Sequence, residues 1–303
     1  MNGKISNPAQ IASLRQYTYT SGREAGISVI DCDNGKLRFL LNVTKALDVM
    51  QLFSDGRNVS FLSKNAFTAR EIPFLSRFEG GMLYTCGLDS VGGREGFELH
   101  GSLHNNAAEV VRAECNEDGI VVEAIVRDTS LFGQNLTLKR RVTSAIGSDT
   151  VSVEDTLVNN GTKDEDYCLL YHVNVGYPML DEGAEVVAEI LRAEPRTEWS
   201  RQTAADMLNI SASVDNQEES CYFLTLGSPE ASLVNKKLGK KFTVRYSADT
   251  LPHFVEWRSM ASGDYALGLE PCTTELDDRF KYKKIAAGER VKFALSFTVE
   301  DLK

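Results

Sequence analysis

A histidine and a glutamate stand out for where their strand patterns leave them. His172 lies in Cys168-Leu169-Leu170-Tyr171-His172-Val173-Asn174-Val175. Alternation there puts Leu170, His172 and Asn174 on one face and Tyr171, Val173 and Val175 on the other. A polar pair on a face that begins apolar reads in two ways: as the wall of a lined cavity, or as a core histidine with its hydrogen bonds satisfied. Glu270 closes the apolar strand Tyr265–Leu269 and precedes Pro271. At such a rim, partial burial would raise a carboxyl pKa and suit it to general-base work; the plainer reading is a solvated strand end. His100 and His104 are spaced to share a metal on a helix. Gly101 and the glycines around it disfavour that helix, however, and the spacing supplies no third or fourth ligand. His253, after Leu251-Pro252, reads as structural. Trp257 offers an aromatic face of the kind that packs on sugars, with a core role as the plainer alternative.

Other chemistries find no support. Gly92-Gly93-Arg94-Glu95-Gly96 fits neither a dinucleotide fingerprint nor a P-loop, and HExxH and GxSxG are absent. The chain has 303 residues, with 33 Lys+Arg against 43 Asp+Glu and a formal net charge of −10. That balance argues against nucleic acid as a partner, because phosphate binding needs a clustered basic surface. The basic runs Lys139–Arg141 and Lys236–Lys241 interleave with apolar residues, as solvated strand faces do. No apolar run approaches a membrane span, and the N-terminus lacks the apolar core of a signal peptide, so a cytoplasmic protein is expected. Six scattered cysteines without a CxxC pair read as reduced, buried thiols.

The elements that must carry these residues follow a period of two. Glu109–Asp128, Leu136–Asn160 and Ser232–Ser247 each read as two alternating runs around a turn, the hairpin signature. Helical signal is sparse: Pro8–Tyr17, with Asn7 as N-cap, and Thr203–Asn209 are the two candidates. More than a dozen strand runs without long intervening helices imply an all-β sandwich or barrel. No linker divides the chain, so a single domain over residues 1–303 is expected. The glycine-rich stretch Gly87–Asn106 breaks the pattern, and a loop of that length inside a compact domain is usually functional.

Taken in order, LHGSLHN (Leu99–Asn105), LLYHVNVGYPMLDEG (Leu169–Gly183) and ALGLEP (Ala266–Pro271) resemble the galactose mutarotase-like group, the aldose 1-epimerases. GGMLYTCGLDSVGG with HGSLHN resembles an uncharacterised branch of that superfamily, and the similarity runs over most of the chain from about Lys36. The resemblance implies a β-supersandwich of mostly antiparallel sheets with few short helices and an open sugar cleft. It implies an isomerase exchanging sugar anomers, with His172 as general acid, Glu270 as general base and no cofactor or metal. His100 is implied as a contact to a sugar hydroxyl, with Arg77 as a further binding residue. His104 and Asn174 join the expected binding set. So does Asp181, which stands just after the His172 strand and is taken for the group's substrate-binding aspartate. The implied partner is a small carbohydrate, and a homodimer is compatible with the fold. The alternatives are a non-catalytic carbohydrate-binding protein, or another activity on a sugar derivative. An acidic sugar would require Arg77, Arg94 or Arg258 to converge on the His172 pocket. Phosphate-preferring relatives carry an arginine soon after the His-Gly pair, where this chain has Ser102-Leu103-His104.

Overall fold

The computed structural model describes residues 3–302. Two large antiparallel sheets face each other. One has eight strands in the spatial order Glu185–Val187, Glu230–Asn235, Lys240–Tyr246, Arg290–Asp301, Thr150–Asn159, Asn135–Ala145, Gly119–Thr129 and Ala108–Cys115. The other has seven: Ile190–Pro195, Ser220–Leu226, His253–Ala261, Asp264–Cys272 and Glu165–Val175, with Lys283–Ile285 and Leu83–Leu88 both pairing with Glu165–Val175. A five-stranded sheet from Ser13–Thr18 to Arg57–Asn58 flanks them. This is the galactose mutarotase-like fold.

The three hairpins expected from sequence form, with Ile120 opposite Cys115, Val142 opposite Val153 and Leu233 opposite Phe242. The N-terminal helix does not. Asn7 caps a single 3-10 turn, Pro8–Gln10, and Ser13–Thr18 is a strand. Its pairing with Ser28–Asp33 supplies backbone partners that an isolated helix of this length would lack. The second candidate starts earlier, as the helix Glu198–Gln202 capped by Thr197, with a 3-10 turn Ala204–Asp206 after it.

The seven-stranded sheet is covered on both sides. Leu169, Tyr171 and Val173 face the main core between the two large sheets, together with Phe254, Leu267 and Leu269. The intervening residues Cys168 and Leu170, with Cys221, Val255 and Cys272, form a second apolar cluster on the opposite face. Double coverage explains why these strands read as near-continuous apolar runs instead of clean alternation. That second face is the floor of a cleft. Among the described residues, no helix is long and apolar enough to cross a membrane.

Candidate active site

Sheet register brings His172 and Glu270 together. Leu170 pairs with Cys272 and Val173 with Leu269, which sets His172 opposite Glu270 on adjacent strands. Both side chains rise from the second face into a cleft of about 610 Å³. His172 Nε2 stands 3.2 Å from Glu270 Oε1, with both side chains almost fully buried. The approach lacks hydrogen-bond alignment, so Glu270 Oε1 and His172 Nδ1 each remain without a protein partner. Leaving such groups unpaired in a dry place is costly, and one compensation is a ligand that completes their bonding.

Burial acts on the two in opposite senses. It holds His172 well below the ordinary imidazole pKa, and the nearby His100 adds to this. It holds Glu270 well above the ordinary carboxyl range, and the charge of Glu219 pushes the same way while Arg196 pulls back. Desolvation thus favours the neutral His172 and the protonated Glu270, the state in which the pair holds a single proton.

His100 reaches the cleft because the glycine-rich loop doubles back. Gly87 N–H donates to the His100 carbonyl at 3.0 Å, and Asp89 ties the loop ends through Ser90 N–H at 2.9 Å and Ser102 N–H at 3.0 Å. Gly101 sits at φ +77°, and a Cβ there would lie 2.4 Å from the Ser90 carbonyl, so the fold-back requires glycine. The Gly92 N–H donates to His100 Nδ1 at 3.3 Å, which assigns the ring proton to Nε2. Burial, helped by Arg196, lowers the His100 pKa to about 4, so the ring is a neutral N–H donor at physiological pH. It stands edge-on to His172, with ring centroids 5.3 Å apart.

Aromatic rings complete the walls. Phe74 and Phe78, stacked at 5.1 Å, border the cleft, with Phe78 5.6 Å from the His172 ring. Trp257 faces His172 edge-on at 5.4 Å, and its Nε1–H donates to Glu219 Oε2 at 2.8 Å. The cleft role, the rarer of two readings for a tryptophan, is the one this ring takes. At the mouth, Lys64 pairs with Asp264 at 2.7 Å. Arg196 lines the cleft as well, held by Asp277 through Nε at 2.6 Å and Nη2 at 2.7 Å.

Four expected binding residues stand elsewhere. Arg77 is buried, and its guanidinium donates to the Ile72 carbonyl at 2.8 Å, the Tyr84 hydroxyl at 3.2 Å and the Glu98 carboxylate. It braces the segment that presents Phe74 and Phe78. His104 is 2 % exposed, with Nδ1 2.7 Å from Asp48 and Nε2 2.8 Å from Glu79. Its ring stacks on Tyr84 at 3.7 Å. With both nitrogens engaged, it has nothing left for a substrate and cannot share an ion with His100. Asn174 shares a strand face with His172 but is fully buried off the cleft wall, its Nδ2 bonding the His172 carbonyl at 3.0 Å. Asp181 lies off the cleft, near Lys237 at 3.6 Å.

Of the three arginines considered for an acidic sugar, none lines the cleft. Arg94 lies over the Phe280 ring, its carbon 3.9 Å from the centroid, and Arg258 bonds the carbonyls of Asp206, Met207 and Asn209. Arg196 occupies that place instead. Neither Arg196 nor Glu219 carries a local sequence signal: each flanks its strand, and only sheet pairing brings it to the pocket.

His104 belongs to a buried ionic chain. Asp48 also accepts from Arg140, which in turn holds Asp155 at 2.7 Å, and Asp155 accepts from the Tyr171 hydroxyl at 2.7 Å. Burial opposes charge on His104, but Glu79 and Asp48 outweigh it and raise its pKa. Replacing His104 with Leu is expected to cost about 1–3 kcal/mol of stability, since both carboxylates lose a partner. KM for any cleft ligand should stay as in the wild type. A large rise in KM with unchanged unfolding would contradict this structural role.

A family model described as "Domain of unknown function (DUF4432)" matches residues 24–299. The chain belongs to the DUF4432 family. No curated protein matches its sequence. Among solved structures, a Klebsiella pneumoniae protein provisionally named an aldose 1-epimerase superposes with a TM-score of 0.87 at 20% identity, over 97% of this chain and 87% of that one. A galactose mutarotase-like protein from Clostridium acetobutylicum gives 0.71 at 14% identity, over 97% of this chain and all (100%) of that one. One from Lactobacillus casei gives 0.64 at 13%, over 90% and 100%. At these identities the likeness establishes the fold of this DUF4432 member, and chemistry must be argued from its own site.

Proposed function

We propose that this protein is a sugar isomerase that exchanges the anomers of a free aldose by opening and reclosing the hemiacetal ring. The observation that carries the reading is the His172–Glu270 pair, buried and unpaired at 3.2 Å in the cleft floor. Ring opening removes a proton from the anomeric hydroxyl and delivers one to the ring oxygen. After rotation about the C1–C2 bond the two transfers reverse. One acid and one base suffice, no covalent intermediate forms, and the pair ends each cycle with the proton count it began with. With Glu270 as base and His172 as acid, the shared proton sits on His172. Desolvation favours it on Glu270, so the bound sugar's hydroxyls must bring it to His172 as the ring opens. The His100 Nε2–H, aimed into the same cleft, donates to a sugar hydroxyl, and Trp257 with Phe74 and Phe78 gives apolar faces for the ring carbons. The mutarotase-like names of the structural neighbours support a carbohydrate ligand.

The test is anomer relaxation by NMR or polarimetry across a panel of free aldoses. The expected result is faster equilibration of at least one sugar than in buffer, lost in the His172→Ala and Glu270→Gln variants. Relaxation no faster with wild type than with those variants would sink catalysis. Sugar binding that survives both changes would then mark a non-catalytic binding protein. Arg196 motivates a second reading within the same chemistry, a sugar bearing a carboxylate. It lines the cleft beside the pair, and a guanidinium matches a planar anion. Uronic acids in the panel, compared between wild type and Arg196→Gln, distinguish the two: only the acidic sugars should lose affinity.

A further inference from the structure

We infer that Gly268 is a positioning residue, whose missing side chain leaves the space that seats the Glu270 carboxylate against His172. The inference rests on the reading of these two as the reacting pair. Gly268 lies between Trp257 and Asn174 on neighbouring strands and two residues before Glu270, so it shares the cleft face. A Cβ built on it would stand 2.3 Å from Glu270 Oε1, 3.2 Å from Glu270 Cδ and 3.3 Å from His172 Cε1. The carboxylate is thus folded back along its own strand, over a spot that glycine alone leaves empty. Glu270 Oε1 has no hydrogen bond to hold it there. The hollow and the packed His172 ring do the holding.

Backbone conformation is not the reason for glycine at this position. Gly268 lies outside the left-handed region, unlike Gly87 at φ +126° and Gly101 at φ +77°. At those two, an added Cβ meets backbone atoms, 2.3 Å from the Cys168 carbonyl and 2.4 Å from that of Ser90, and the fold itself would have to shift. At Gly268 the nearest atom is the end of a flexible side chain. A methyl group there therefore spares the sheet and displaces the carboxylate, separating position from fold. Van der Waals repulsion at this distance is far steeper than any bond retaining Oε1, so the carboxylate must swing away from His172.

The experiment pairs kinetics with a readout that does not depend on turnover. The four histidines are labelled with ¹⁵N, and the His172 ring signals are assigned by loss in His172→Asn. Their shifts and titration are then compared in wild type, Gly268→Ala and Glu270→Gln. In Gly268→Ala the His172 signals are expected to move toward those of Glu270→Gln. Anomer exchange should fall roughly 10- to 100-fold in kcat, as a displacement of about 1 Å can cause, with KM nearly unchanged. Wild-type His172 signals together with wild-type kcat in Gly268→Ala would overturn the inference. If the wild type exchanges no sugar but the His172 signals still move, the seat for Glu270 stands and the ring-opening reading falls. Should Gly268→Ala fail to fold, Gly268→Ala/Glu270→Ala decides. It folds if the Glu270 side chain is the obstacle, and a failure to fold overturns the inference.

Discussion

Exchanging Glu270 for Gln is expected to slow anomer exchange by about 10²–10⁴-fold, the contribution of one positioned acid–base group. The pH profile carries the more specific signature. In the wild type the working pair holds one proton, so activity falls when a second proton binds and when the only one leaves. Burial and His100 depress the imidazole pKa, so the acid limb should lie well below 6.5, the ordinary imidazole value. Burial and Glu219 raise the carboxyl pKa, so the alkaline limb should lie well above 4.5, the ordinary carboxyl value. Activity is thus expected on a plateau between a depressed acid limb and a raised alkaline limb. Glu270→Gln should abolish the alkaline limb and retain the acid one, because Gln cannot titrate while His172 still can. Glu219→Gln should move the alkaline limb to lower pH, since it removes a negative charge that disfavours ionised Glu270. A Glu270→Gln variant within a few-fold of wild type, or one with both limbs intact, would remove the carboxyl from the chemistry. The double variant with His172→Ala should be little slower than either single one, because the two groups pass one proton between them.

The strands were legible in the sequence because they depend on local pattern, whereas pattern alone left His172 and Glu270 open between a site and a structural reading, and the ordered motifs around them singled them out. His172 and Glu270 interrupt apolar strands, and a titratable group in a run destined for burial is conspicuous. Their meeting needed only that the two strands be neighbours. Arg77, His104, Asn174 and Asp181 were legible as polar residues close in sequence to the site, but proximity along the chain does not say which way a side chain turns. Asn174 is on the His172 face yet lies off the cleft wall, its Nδ2 turned to the His172 carbonyl. His104 is drawn away by Asp48, 56 positions earlier in the chain, a partner no local pattern could supply. Arg196, Glu219 and Gly268 were missed for the complementary reason. Their significance is geometric: an arginine beside a strand end, a glutamate on an exposed approach, a glycine in a strand. Ser13–Thr18 shows the same competition in the fold, where tertiary pairing with Ser28–Asp33 overrides a plausible helix start at Asn7.

The contribution of one residue the cleft chemistry does not use is expected to cost the fold about 5 kcal/mol as pH rises from 4.5 to 8. Glu256 is fully buried, and neither of its carboxyl oxygens has a hydrogen-bond partner. It sits between Trp257 and Val255 in sequence but on the opposite strand face, in register with Tyr222 on one side and Leu269 on the other. Arg258, two residues on, is committed to three backbone carbonyls and pulls the Glu256 pKa down only in part. Burial wins and raises it to about 8. The sign follows from proton counting. An unfolded Glu ionises near 4.5, while the folded one keeps its proton to about 8, so between these values the folded state binds more protons. Stability from this group is complete below the lower value, declines by about 1.4 kcal/mol per pH unit, and levels off above the higher one. Glu256→Gln removes the titration but keeps the shape. Its urea unfolding free energy should match wild type near pH 4.5 and exceed it by up to about 5 kcal/mol at pH 8. Parallel stability curves for the two proteins would show that Glu256 is ionised in the fold. The strand that holds Glu256 also carries Trp257 and pairs with the strand of Glu270, so its ionisation would loosen the floor of the cleft. The alkaline limb of catalysis should accordingly be measured in Glu256→Gln as well. A limb that persists there with the same midpoint belongs to the reacting pair, and one that recedes belongs to the fold.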